Sequence, residues 1–196
     1  ALGVVHRDIK PANLFLHQRA DGTITLKLCD FGVAKQLSTT TESDDAATEL
    51  TRTGGIVGSP MNISPEPARN AKSVDHRTDV WSLAMTLHQA LSGRKPWEGC
   101  STVGELIVAI CTQPPTPIQD LAPWVDPRLA TVVHKALRRD PADRYASVLE
   151  LSQALAPFAA PGPLTRERLV ALSDEQREQA LSRANYPSVR PATGGT

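Results

Sequence analysis

His6-Arg7-Asp8-Ile9-Lys10-Pro11-Ala12-Asn13 runs straight into the apolar Leu14-Phe15-Leu16, and Asp30-Phe31-Gly32 follows one short hairpin later. Pro11 keeps the first stretch out of regular helix, so its polar groups sit on a loop. Leu14 to His17, the turn signal Ala20-Asp21-Gly22, and Thr23 to Cys29 read as two short antiparallel strands. Such a hairpin carries Asn13 at one end and Asp30 at the other, close in space although distant in sequence. Two oxygen-bearing side chains so placed could hold one hard cation, beside a carboxylate, Asp8, and an ammonium, Lys10.

Bulk composition adds little. The 196 residues are 40% hydrophobic and 21% charged, within the range of soluble globular domains. Lys plus Arg and Asp plus Glu balance at 21 each, which leaves no electrostatic footprint for nucleic acid or an anionic membrane. Cys29, Cys100 and Cys111 form no CxxC pair, and their odd number argues against a disulfide framework. A reducing, cytoplasmic setting is the simple expectation, with Cys29 a small buried hydrophobe. No stretch is apolar for long enough to span a bilayer, and Ala1-Leu2-Gly3-Val4-Val5 has no signal-peptide pattern.

From Val33 to Gly58 the chain is hydroxyl-rich, acidic and glycine-bearing, without apolar periodicity, and reads as a long mobile loop. A loop of that length inside a compact domain is expected to be functional. Gly58 to Glu66 is too rich in Pro for helix or central strand. Helical spacing then begins. Val80, Leu83, Ala84, Leu87 and Leu91, with Trp81 and Met85 on adjoining faces, predict a helix apolar nearly all round, from near Thr78 to Ser92-Gly93. Ser101 to Ile110, Pro127 to Leu137 and Ala146 to Leu155 predict three amphipathic helices, with Ser101 and Asp126 as N-cap candidates. Ala159-Ala160-Pro161-Gly162-Pro163 marks a boundary. Thr165 to Ala184 then offers only a narrow apolar face, and Tyr186 to Thr196 reads as disordered. The expected fold class is mostly α with a small β-hairpin.

Phosphoryl transfer to a hydroxyl needs an oriented nucleophile, neutralised phosphate oxygens and bridging metal ions, and each requirement has a candidate here. Taken singly, Asp8 would read as a surface turn carboxylate and Lys10 as a solvated charge. In combination and in this order, the motifs resemble the C-terminal lobe of a bacterial-type, Hanks-type serine/threonine protein kinase, over residues 1–157, with 158–196 left as linker and tail. The resemblance implies ATP and Mg²⁺ as cofactors. It implies that Asp8 accepts the proton of a protein Ser or Thr hydroxyl and Lys10 contacts the γ-phosphate. Asn13 and Asp30 hold the metal ions, Phe31-Gly32 aims Asp30, and Phe15 floors the adenine. Arg7 is expected to pair with a phosphorylated Thr51 or Thr53. Ser59 and Pro60 correspond to the substrate-docking segment, Glu66 and Arg144 to a buried ion pair, and Asp79 to the residue that holds the catalytic-loop backbone. For Asp79 a plain helix N-terminal acid is an equal reading of the residue alone.

Three positions depart from the family pattern: Asn62-Ile63 where Tyr-Met is usual, and Ala84 where Gly is usual. No glycine-rich loop, Val-Ala-Ile-Lys-like strand or partner helix occurs before His6, so the chain lacks an N-lobe in its own sequence. The 196-residue polypeptide by itself is expected to be inactive. Three functions follow from this reading: a serine/threonine protein kinase acting on protein substrates, a truncated non-catalytic binding module, or a small-molecule phosphotransferase such as an antibiotic kinase. Lys10, Asp30-Phe31-Gly32 and Ser64-Pro65-Glu66 argue against the third.

Overall fold

The computed structural model describes residues 5–30, 62, 64–66 and 75–183. A single 3-10 turn, Pro11–Asn13, leads from the first loop into the hairpin of β1 (Leu14–Gln18) and β2 (Ile24–Leu28). The strands pair antiparallel with Leu14 opposite Leu28 and Leu16 opposite Leu26. Asp21 makes the turn: its carboxylate accepts from the Thr23 amide at 2.9 Å and the Thr23 hydroxyl at 2.6 Å, while Gly22 takes φ +82°, open to glycine without strain.

Six helices follow among the described residues: α1 (Arg77–Ser92), α2 (Val103–Thr112), α3 (Ile118–Leu121), α4 (Pro127–Ala136), α5 (Val148–Leu155) and α6 (Asp174–Arg183). α1 is central and packs against α3, α4 and α5. It stops at Gly93, whose φ of +73° closes the helix with a left-handed residue. The helix expected to be apolar nearly all round also buries Thr78, Asp79, Ser82 and His88. Those four polar residues are the first sign that α1 organises a site as well as a core.

Val80, Trp81, Ala84 and Met85 of α1 meet Ile110, Ile118, Val133, Leu137 and Leu151 in one apolar cluster. Trp81 and Trp97 stack within it, with ring centroids 5.7 Å apart and an 18° tilt. Helix starts follow side-chain chemistry. Asp126 caps α4 by accepting from the Arg128 amide, and Ser147 caps α5 with Glu150 reaching back to the Ala146 amide at 2.8 Å. For α2 the cap is Thr102 rather than Ser101, because Glu105 lies three residues after Thr102 and its carboxylate turns back onto the Ser101 amide at 2.7 Å. Cys29, expected to be buried, is only half-buried at the open hairpin.

Past Ala156–Phe158 the chain folds back. The Leu164 carbonyl accepts from the Ile24 amide at 2.7 Å, Thr165 bridges to Thr23, and Arg177 of α6 lies over the Trp124 ring at 5.0 Å.

Candidate active site

Hydrogen bonds made by the side chains of four residues, Asp79, Asn13, Lys10 and Asn62, shape the loop from His6 to Asn13. The Asp79 carboxylate accepts from the His6 amide at 2.8 Å through Oδ2 and from the Arg7 amide at 2.9 Å through Oδ1. Both His6 and Asp79 are buried. This grip explains how Arg7 holds φ +63°, a left-handed conformation unfavourable to a side chain with a Cβ. Asp79 therefore does more than favour a helix N-terminus.

Next along the loop, the Asn13 amide donates to the Asp8 carbonyl at 2.8 Å and to Asp8 Oδ2 at 3.1 Å, while Lys10 Nζ meets the same Oδ2 at 2.8 Å. The Asp8 and Lys10 side chains are 19% and 18% exposed, enough for a reactant to reach them and enclosed enough to strengthen their mutual attraction. The Ile9 carbonyl, between them, accepts from the Asn62 side-chain amide at 2.9 Å.

Asn13 commits its amide nitrogen to Asp8, which leaves its amide oxygen, chemically suited to a hard cation, out of that contact. The Cys29 amide donates to the Asn13 carbonyl at 2.9 Å, so the residue before Asp30 is tied to Asn13 by the first rung beyond the hairpin. Asp30 itself is exposed and has φ +56°. An Asn oxygen and an Asp carboxylate fit Mg²⁺, which takes few protein ligands and keeps the remainder for water and phosphate. Among the described residues no group of three His, Cys, Asp or Glu is gathered into a metal cage.

Phe15, on the first strand, is 55% exposed and stands opposite Lys27. Glu66 and Arg144, 78 residues apart, meet in a buried ion pair at 2.5 Å, with 6% and 0% of their side chains exposed. Arg144 also donates to the carbonyls of Arg138, Arg139 and Arg77 and lies over Trp81 at 4.8 Å. Of the sequence candidates, Asp8, Lys10, Asn13 and Asp79 thus converge with Arg7, and Glu66 joins Arg144. Phe31, Gly32, Thr51, Thr53, Ser59 and Pro60 lie outside the described residues. Asn62, set down from the sequence only as a departure from pattern, belongs to the site. Its signal was its place just before Ser64-Pro65-Glu66, with a short amide where a large phenol is usual.

A loop carboxylate paired to a lysine and an asparagine, followed by a hairpin that delivers a second carboxylate, agrees with a family model described as protein kinase domain, which matches residues 1–156. The chain belongs to the protein kinase family. It is 36% identical over 146 residues to the serine/threonine-protein kinase pkn3 of Myxococcus xanthus, covering 74% of this chain and 26% of that protein. It is 32% identical over 182 residues to the serine/threonine-protein kinase PknB of Mycobacterium tuberculosis, covering 93% of this chain and 27% of that protein. PknB of Mycolicibacterium smegmatis is 35% identical over 149 residues, 76% of this chain and 22% of its own length. The chain therefore spans about a quarter of the length of these curated relatives.

Proposed function

We propose that this chain is the C-terminal lobe of an ATP-dependent serine/threonine protein kinase, with residues 1–157 as the lobe and 158–196 as its tail. The observation that carries this reading is the Asp8 carboxylate, held by Lys10 and Asn13 within 3.1 Å on a loop anchored to α1. In the proposed reaction Asp8 orients the acceptor Ser or Thr hydroxyl and takes its proton as the oxygen attacks the γ-phosphorus of ATP. Lys10 neutralises charge on the transferred group, and ADP leaves. Asn13 and Asp30 would hold Mg²⁺, which would supply neutralisation of phosphate charge when bound. Phe15 offers an apolar face to the adenine.

Arg7, exposed beside Asp8, is suited to a phosphate on Thr51 or Thr53, and Ser59 and Pro60 would face the protein substrate. The thiols of Cys29, Cys100 and Cys111, an odd number without a CxxC pair, suit a cytoplasmic kinase. No helix among the described residues is long and apolar enough to cross a membrane.

The test joins an ATP-binding lobe upstream of Ala1 and offers γ-labelled ATP with protein and aminoglycoside acceptors. Label on protein serine or threonine is the expected result. Label on the aminoglycoside alone, or binding of protein without transfer, would replace the reading by a small-molecule kinase or a docking module. Phosphopeptide mapping of the active protein should find Thr51 or Thr53 modified, and an active enzyme with both unmodified would remove them from the switch.

A further inference from the structure

We propose that Asn62 is a positioning residue for the catalytic loop, setting the aim of Asp8 and Lys10 through the peptide between them; this rests on the kinase reading above. The His6–Lys10 loop is held at its start by Asp79 and at Asp8 by Asn13, and those ties leave the Ile9–Lys10 peptide plane to be fixed from elsewhere. Asn62 fixes it. Its side-chain Nδ2–H donates to the Ile9 carbonyl at 2.9 Å across 53 residues of sequence, and Ile9 is itself buried. The Asn62 carbonyl in turn accepts a long hydrogen bond of 3.4 Å from the Ser82 hydroxyl of α1.

Ser82 stands three residues after Asp79, so both project from one face of α1. That face grips the catalytic loop directly through Asp79 and indirectly through Ser82 and Asn62. The donor is specific to an amide: a carboxylate of the same shape would present oxygen to oxygen and repel the Ile9 carbonyl. A turn of this peptide plane would swing the Lys10 stem and, with it, the ammonium that holds Asp8 Oδ2. Small misplacements of groups that must meet a reactant in line are costly to rate.

Asn62→Ala and Asn62→Asp, made in the polypeptide that carries an ATP-binding lobe, should lower kcat about tenfold with KM for ATP unchanged, an interaction felt in the transition state alone. Asn62→Gln, which keeps the donor on a longer stem, should recover more of kcat than Asn62→Asp. Rates for Ala and Asp within twofold of wild type, measured well below the thermal midpoint of each variant, would overturn the proposal, as would equal losses for Gln and Asp. A carbon-13 label on the Ile9 carbonyl of the 196-residue chain reads the tie without catalysis. Its resonance should shift in Asn62→Asp, and an unmoved resonance would also overturn the proposal. A wild-type protein that transfers no phosphate would count against the kinase reading, whereas the carbonyl resonance would still decide the contact.

Discussion

Asp79 serves the amides of buried His6 and exposed Arg7 with one carboxylate, and the consequence of losing it follows from what those amides would face. Asp79→Ala leaves the His6 and Arg7 N–H groups without their acceptors, at about 1–3 kcal/mol for each that stays buried. Denaturant unfolding of the chain should register that loss together with a relaxed Arg7, and an unchanged midpoint would mean that water replaces the carboxylate freely. Arg144 is the larger case. Removing it as Arg144→Met strands Glu66 in a buried site where its Oε2 has no hydrogen-bond partner among the described residues, and about 3–5 kcal/mol of stability should go. His134 supplies a pH dependence. Burial first, then the charges of His88 and Arg138, hold its pKa below the ordinary 6.5, while Asp120 opposes them. Its Nε2 accepts from the Ile118 amide at 3.2 Å, a bond only the neutral ring can make. A depressed folded pKa means the unfolded chain binds the proton more readily. The stabilising contribution is therefore whole above about pH 6.5 and is lost as pH falls from there through the depressed value. Thermal midpoints measured from pH 7.5 to 5 should fall in wild type and fall less in His134→Gln, whose amide oxygen can still accept. Parallel slopes would contradict this account.

At the scale of elements, much was legible. Hairpin, central helix and the amphipathic helices follow from periodicities that burial imposes directly, and Gly93 and Asp126 ended and began their helices as their chemistry dictates. The misplaced α2 cap shows the limit: Ser101 and Thr102 are chemically near-equivalent, and the choice fell to where Glu105 could reach. Asn62 and the folded-back tail were not legible for a related reason. Their partners, Ile9 and Ile24, are backbone groups 53 and 140 residues away, and no side-chain pattern announces a backbone acceptor or donor. The narrow apolar face beyond Thr165 gives no hint that Leu164 caps the open edge of β2. The hairpin needs such support, since a two-stranded ribbon is marginal alone and Leu16 and Leu26 remain 54% and 55% exposed. Truncation after Phe158 should therefore speed hydrogen exchange at the Ile24 amide, read by NMR. Unaltered protection there would show that the tail adds nothing to the hairpin.

For the molecule as a whole, α1 joins two tasks. Its apolar residues fill the core while Asp79 and Ser82 hold the loop where the chemistry is proposed, so stability and alignment share one helix. The 196-residue polypeptide alone should show negligible phosphoryl transfer, because its sequence holds no glycine-rich loop to align the phosphates. Robust ATP-dependent labelling of a protein by that polypeptide would contradict this. The central claim is narrower and rests on Asp8. With an ATP-binding lobe in place, Asp8→Asn keeps size and shape but cannot take a proton, so kcat for protein phosphorylation should fall by roughly 10²–10⁴ while ATP still binds. A variant that phosphorylates protein at the wild-type rate would contradict the account.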